Sequence, residues 1–273
     1  MRWGRSIDRP SPAWVRGETG GAEVTARIML YRPVWLYNRL APRRNRGRAP
    51  LLELLLKITL APVLVVAATL AARRWGQTVG GIIIAIPIVA GPILLIFGIE
   101  QGISFVHHAA RSALLGIVAV AGFCVMCRCC VRFGWLIAIS AGWLAYGLIV
   151  LALAGVAPTV GSGLTAALGA IVLARWLTRV TREGPANPPR PPRWDLPARA
   201  AATAALVIAL TGVASAVGPT LSGLLTPFPV ATSVVVAFTL SQAGEGAAVG
   251  TLRGYLTGLP GFAAFFVVVA LLT

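Results

Sequence analysis

Side chains suited to acid–base chemistry are scarce in this chain, with eight Asp and Glu and two His in 273 residues. Charged residues of all kinds make up 12%, against about 25% in an ordinary soluble domain. So little charge cannot clothe a water-facing surface, which excludes a soluble globular protein. The 57% hydrophobic content excludes disorder over most of the length. Signatures of the P-loop, G-x-S-x-G, H-E-x-x-H and EF-hand kinds are missing, and with them the common devices for phosphates, acyl groups, zinc and calcium. No enzyme activity and no cofactor is expected. All four cysteines fall in Cys124-Val-Met-Cys127-Arg-Cys129-Cys130, so no disulfide framework is implied. Four thiols at the end of one helix do not converge on an ion, so no metal is expected, and the thiols are expected to be reduced and without a structural role.

What is abundant is apolar and basic. The mean hydropathy is +0.82, and the net charge is +16. Residues 1–50 hold 11 Arg against Asp8, Glu18 and Glu23; residues 51–273 hold 13 basic and 5 acidic groups, mostly between apolar runs. That distribution fits lipid headgroups and topology signals rather than a face that reads nucleic acid. The expected partner is the lipid bilayer.

Apolar runs of about 20 residues, long enough to cross about 30 Å of hydrocarbon, recur over 53–72, 79–98, 103–125, 134–155, 158–177, 199–217, 220–240 and 246–272. These predict an all-α, polytopic transmembrane bundle of about eight spans. Four segments follow: a basic extension over 1–50, a membrane region over 51–177, a linker over 178–198 and a second membrane region over 199–273. The linker carries Pro185, Pro188, Pro189, Pro191, Pro192 and Pro197, which favour an extended, solvated chain.

Sliding the chain against itself by 142 residues places Gly76 on Gly218, Gly81 on Gly223, Pro87 on Pro229, Gly102 on Gly244, Arg111 on Arg253 and Gly116 on Gly258. Upstream, Glu53 meets Asp195 and Lys57 meets Arg199. Apolar matches are cheap in so biased a composition, but glycine, proline and charge in one fixed register are not. The match pairs spans one to three with six to eight. Equivalent helices are then an odd number of spans apart and cross in opposite directions, an inverted internal repeat of the 5+3 kind.

The first half reads Arg73–Gly76, Gly80–Gly81, Pro87, Gly91–Pro92 and Glu100–Gly102, and the second echoes it in Gly218–Pro219, Ser222–Gly223, Pro227–Pro229, Gly244 and Arg253–Gly254. This series resembles a family of bacterial multi-pass inner-membrane proteins with an internal repeat. The resemblance covers most of residues 51–273 and implies the architecture and the inner membrane, without implying an activity.

Candidate chemistry lies in two places. At about 100° per residue, Glu100, Ser104, His107 and Arg111 share an arc of about 60° on an apolar helix. A central Arg costs about 2.5–3.5 kcal/mol to insert, so the stripe should face the bundle interior with Glu100 as counter-charge. In the second half Gln242 replaces Glu100, Arg253 matches Arg111, and Glu245 lies nearby out of register. The second place is the pair of broken spans at Pro87 and Pro229. Gly- and Pro-interrupted segments at matching positions of two halves point to a transporter's binding site, although such residues also merely permit bends and close packing. Trp75, Trp135, Trp143 and Trp176 read as interface anchors.

The leading expectation is a secondary transporter or exporter of a small solute working by alternating access, with Arg111 and Arg253 holding an anionic group and the breaks at Pro87 and Pro229 lining the site. The rival is a non-transporting scaffold or assembly factor. Convergence of the arginines and the breaks at mid-membrane separates the two.

Orientation is contested. Loops bearing Arg73 and Arg74, Arg128 and Arg132, and Arg175 through Arg193 favour the cytoplasm, while Arg39, Arg43, Arg44, Arg46 and Arg48 before the first span favour it too. Both cannot hold for eight simple spans; a re-entrant Pro-broken segment or a translocated tail would reconcile them. Three agreeing loops outweigh one tail, so a topology reporter inserted in 178–198 should read cytoplasmic. A reading from the far side would reverse the assignment.

Overall fold

The computed structural model describes residues 49–179, 192–214 and 226–273. The basic extension up to residue 48, most of the linker (180–191) and the first part of the segment expected over 220–240 lie outside them. Among the described residues the regular structure is helical. The order is α1 (Ala49–Trp75), α2 (Gln77–Ile84), α3 (Ala90–Gln101), α4 (Ile103–Cys130), a 3-10 turn (Val131–Phe133), α5 (Trp135–Leu153), α6 (Val160–Leu177), α7 (Asp195–Ala214) and α8 (Val230–Leu272).

Five stretches are long and apolar enough to cross a membrane: Ile58–Trp75, Ile103–Phe133, Trp135–Leu153, Val160–Leu177 and Val230–Leu272. Their outer faces are apolar as well. Leu144, Leu151, Val172 and Leu271 are all more than 60% exposed, a surface suited to lipid and a liability in water.

The expected span over 79–98 is two helices. Residues 85–89 break it around Pro87, because proline brings no N–H to the helical ladder and its ring crowds the preceding turn. The segments expected over 220–240 and 246–272 meet within α8, which is bent at Gly244 with φ 81° and ψ −176°. Gly102, between α3 and α4, has nearly the same conformation, φ 88° and ψ 166°. This region is close to forbidden for side chains with a Cβ, so each glycine lets one helix end and the next begin without an intervening loop.

α4 forms the middle of the bundle. Ala109, Ala110, Ala113, Leu114, Ile117, Val120, Phe123 and Cys124 are buried along it. α5 folds back on α4: a Cβ on Gly122 would strike the Ile149 side chain, and one on Gly142 would lie 2.5 Å from Cys127 Sγ and 2.7 Å from the Phe123 ring. Cys127 is buried and its thiol donates to the Ala138 carbonyl at 3.2 Å, so it packs and bonds across this pair rather than standing idle as expected. Trp143 likewise differs from a plain interface anchor: its indole N–H donates to Ser233 Oγ at 2.8 Å, tying α5 to α8. α6 starts with a capping box between Thr159 and Ser162, which satisfies otherwise orphaned N–H groups. It packs along α4 from Gly163 beside Leu114.

The closest approach in the bundle joins α2 to the second part of α8. Gly250, Gly254 and Gly258 recur every four residues, so they form one stripe on α8. A Cβ on Gly250 would lie 3.3 Å from that of Gln77; one on Gly254 would strike the Thr78 carbonyl; one on Gly258 would lie 2.5 Å from that of Ala85. A Cβ on Gly81 would in turn meet the Thr251 carbonyl. The two helices therefore run in the same direction, backbone against backbone, in the small-residue packing that membrane helices use where burial from water contributes little. Gly254→Val should lower stability by about 1–3 kcal/mol through overpacking, while Gly261→Ala, with open space around it, should change it little; thermal unfolding of the purified variants measures both.

Candidate functional site

α7 begins with Asp195, whose backbone N–H closes a turn onto the Pro192 carbonyl at 3.1 Å. One helical turn later Arg199 returns over it, with Nε 2.9 Å from Oδ1 and 3.0 Å from Oδ2. Two further donors arrive from other helices. Arg73, in the last turn of α1, donates through Nη2 to Oδ2 at 2.6 Å, and Gln242 of α8 donates through Nε2 to Oδ1 at 2.7 Å. Arg199 also donates through Nη1 to the Val235 carbonyl at 3.3 Å and lies 5.1 Å from the centre of the Phe238 ring. The Asp195 side chain is fully buried and that of Arg73 is 33% exposed. One carboxylate thus accepts from three side chains on α1, α7 and α8.

Burial pushes the Asp195 carboxyl up. The hydrogen bond from Arg199, that from Gln242, the Arg199 charge and the hydrogen bond from Arg73 outweigh it, and the group is held below its ordinary value of 3.8. The sequence placed Gln242 in a polar stripe with Arg253; the fold gives it to Asp195 instead. Asp195, Arg199 and Arg73 were not singled out as a site. For Asp195 and Arg199 the signal lies in their spacing of four residues, which pairs side chains on one helix face, and in their register with Glu53 and Lys57; Arg73 carries neither.

The stripe on α4 is assembled in part. Arg111 Nε donates to the Pro158 carbonyl at 2.8 Å, and Nη1 lies 3.4 Å from His107 Nε2. The guanidinium thus rests on a backbone oxygen in the turn before α6. The expected counter-charge, Glu100, is on α3, and its side chain lies outside the described residues. Gly102 separates it from the helix carrying the others, so the single stripe expected over 100–111 spans two helices. Ser104 is exposed; His107 is half-buried, with Nδ1 buried and unpartnered.

Arg253 is exposed on α8. It lines an open groove of about 840 Å³ together with Arg175, Trp176 and Arg179 from the far end of α6. Arg111 meets the beginning of α6 and Arg253 its end, and eighteen helical residues extend about 27 Å. The two arginines therefore do not converge. Glu245 is exposed just beyond the bend at Gly244. Pro87 sits in the break between α2 and α3, and Pro229 is buried at the start of α8, where its carbonyl accepts from Ser233 Oγ at 2.6 Å. The same oxygen accepts the Ser233 backbone N–H at 2.8 Å, the first bond of the helix, so the hydroxyl is a second donor to a carbonyl already paired. Among the described residues no three His, Cys, Asp or Glu side chains are grouped to hold an ion.

The chain matches no protein-family model, no curated protein and no solved structure. Its class is read from its own geometry: an all-helical protein with helices suited to a membrane.

Removing one member of a buried ion pair strands its partner and costs about 3–5 kcal/mol, so Asp195→Ala should destabilise the fold by that order. Asp195→Leu with Arg199→Met should recover much of the loss. Because the folded carboxyl titrates below its ordinary value, its stabilisation is complete above 3.8 and is lost as the pH falls further. Unfolding of the wild-type chain should therefore show an acid-dependent loss that Asp195→Asn lacks; identical slopes would remove Asp195 from the account.

Proposed function

We propose that this chain is a multi-pass inner-membrane protein with an inverted repeat of the 5+3 kind and about eight spans, and that it moves a small solute by alternating access. The observation that carries this is the matched pair of helix breaks. Gly102 and Gly244, in register at an offset of 142 residues, each break a helix in the extended positive-φ conformation that the junctions at Gly76 and Gly134 also use. α4 begins at 103, and the part of α8 beyond its bend begins at 245, the same offset. Pro87 and Pro229 precede the two paired segments.

Polar bonds also join the two halves. Arg73 to Asp195, Thr251 to Gln77 at 3.3 Å and Trp143 to Ser233 each join a residue before the linker to one after it. Arg111 carries the solute contact in this scheme, an anionic group being the natural ligand for a guanidinium whose side-chain neighbour is His107. Arg253 does not share that contact, because it stands at the other end of α6.

One observation favours the alternative of a non-transporting scaffold: the two arginines face separate places. Reconstitution separates the two. In vesicles loaded with a panel of small anions, the full chain should move at least one of them faster than protein-free vesicles, and Arg111→Ala should reduce that flux about tenfold, as expected for loss of a charged contact. Ordered protein that moves none of the panel, or an Arg111→Ala variant with unchanged flux, would favour the scaffold.

A further inference from the structure

The groove at the end of α6 has a composition that solute transport does not account for. Arg175 and Arg179 come from α6 and its end, and Arg253 arrives from the middle of a different helix. All three are exposed, and none is in an ion pair among the described residues. Among the described residues no Asp or Glu lines the groove; Thr78 and Thr257 add hydroxyls. Three guanidiniums lining one groove, with no counter-charge among the described residues, repel one another, and an anion between them removes that cost. Basic residues at a helix C-terminus alone would be explained by the helix dipole and by topology. Arg253 breaks that explanation, since its own helix continues to Leu272.

The rest of the groove is mostly apolar and open. Leu168, Val172 and Leu173 climb the α6 wall, with Val172 67% and Leu173 56% exposed. Trp176 is 57% exposed at the same end, the depth at which indoles anchor helices to the membrane surface. A basic pocket opening onto an aliphatic, lipid-facing wall suits a ligand with an anionic head and a hydrocarbon body.

We infer that this groove is a binding site for one anionic phospholipid, its phosphate held by Arg175, Arg179 and Arg253 and its acyl chain lying along Val172 and Leu173. Guanidinium forks match phosphate oxygens two at a time, and basic recesses between membrane helices take such headgroups. The volume of about 840 Å³ accommodates a glycerophosphate head and the first part of a chain. This site stands apart from the solute contact at Arg111 and does not depend on transport.

Native mass spectrometry of the full chain tests it in mixed micelles of phosphatidylglycerol and phosphatidylcholine. The wild-type chain should retain phosphatidylglycerol preferentially. Arg175→Gln with Arg253→Gln should weaken that binding about tenfold, as loss of charged hydrogen bonds implies. Arg74→Gln with Arg132→Gln removes the same charge at exposed positions outside the groove and should leave it unchanged. The single variant Arg253→Gln, with a smaller loss in the same direction, serves if the double variant does not fold. Equal losses in the groove and control variants, or no loss at Arg253→Gln, would overturn the site. Full displacement of the lipid by millimolar inorganic phosphate would overturn the lipid and leave a phosphate site.

Discussion

The contact between α2 and the second part of α8 sets how near the two halves of this bundle can come. There the side chain is a hydrogen atom on both sides, at Gly81 and Gly254, so backbones touch where side chains would otherwise hold them apart. In lipid, apolar helices gain little by leaving their surroundings for one another, and close van der Waals contact must supply the attraction. Once α2 is laid on α8, the end of α1 is carried toward the start of α7. Arg73 then reaches Asp195, and Gln77 reaches Thr251.

The carboxylate of Asp195 is the second constraint, and it follows from the first. A buried charge is tolerable only when donors surround it, and its donors sit on three helices. The cluster therefore acts as a register lock: α1, α7 and α8 must arrive together for any one of its charges to be satisfied. It lies at the start of α7, at the end of the bundle where α1 gives way to α2.

Much of the architecture was legible because bilayer solvation imposes coarse rules. A stretch such as Trp135–Leu153 can be recognised from length and polarity alone, since every backbone group is satisfied within the helix and only the side chains face lipid. The break at Pro87 was legible because proline acts locally. Gly102 and Gly244 stood out by register, although their shared backbone conformation could be seen only in the fold. The site was legible in pieces. His107 and Arg111 do lie together, but the partner of Arg111 is a main-chain oxygen at Pro158, to which no side-chain pattern points. Asp195 was hidden by its neighbours, because six prolines made its surroundings look like solvated linker while its burial is made by α1 and α8.

By itself the sequence determined that the chain is helical, apolar and basic, where many of its helices begin and break, and that glycine, proline and arginine recur at one offset. These are consequences of composition and local stereochemistry, which act within a few turns of chain. Tertiary structure alone decided that Gln242 serves Asp195, that Cys127 and Trp143 are tied into the packing, and that Arg111 and Arg253 occupy opposite ends of α6. Those outcomes depend on which helix lies beside which, and that is settled by shape complementarity across long sequence separations, as at Gly81 and Gly254, rather than by any pattern along the chain.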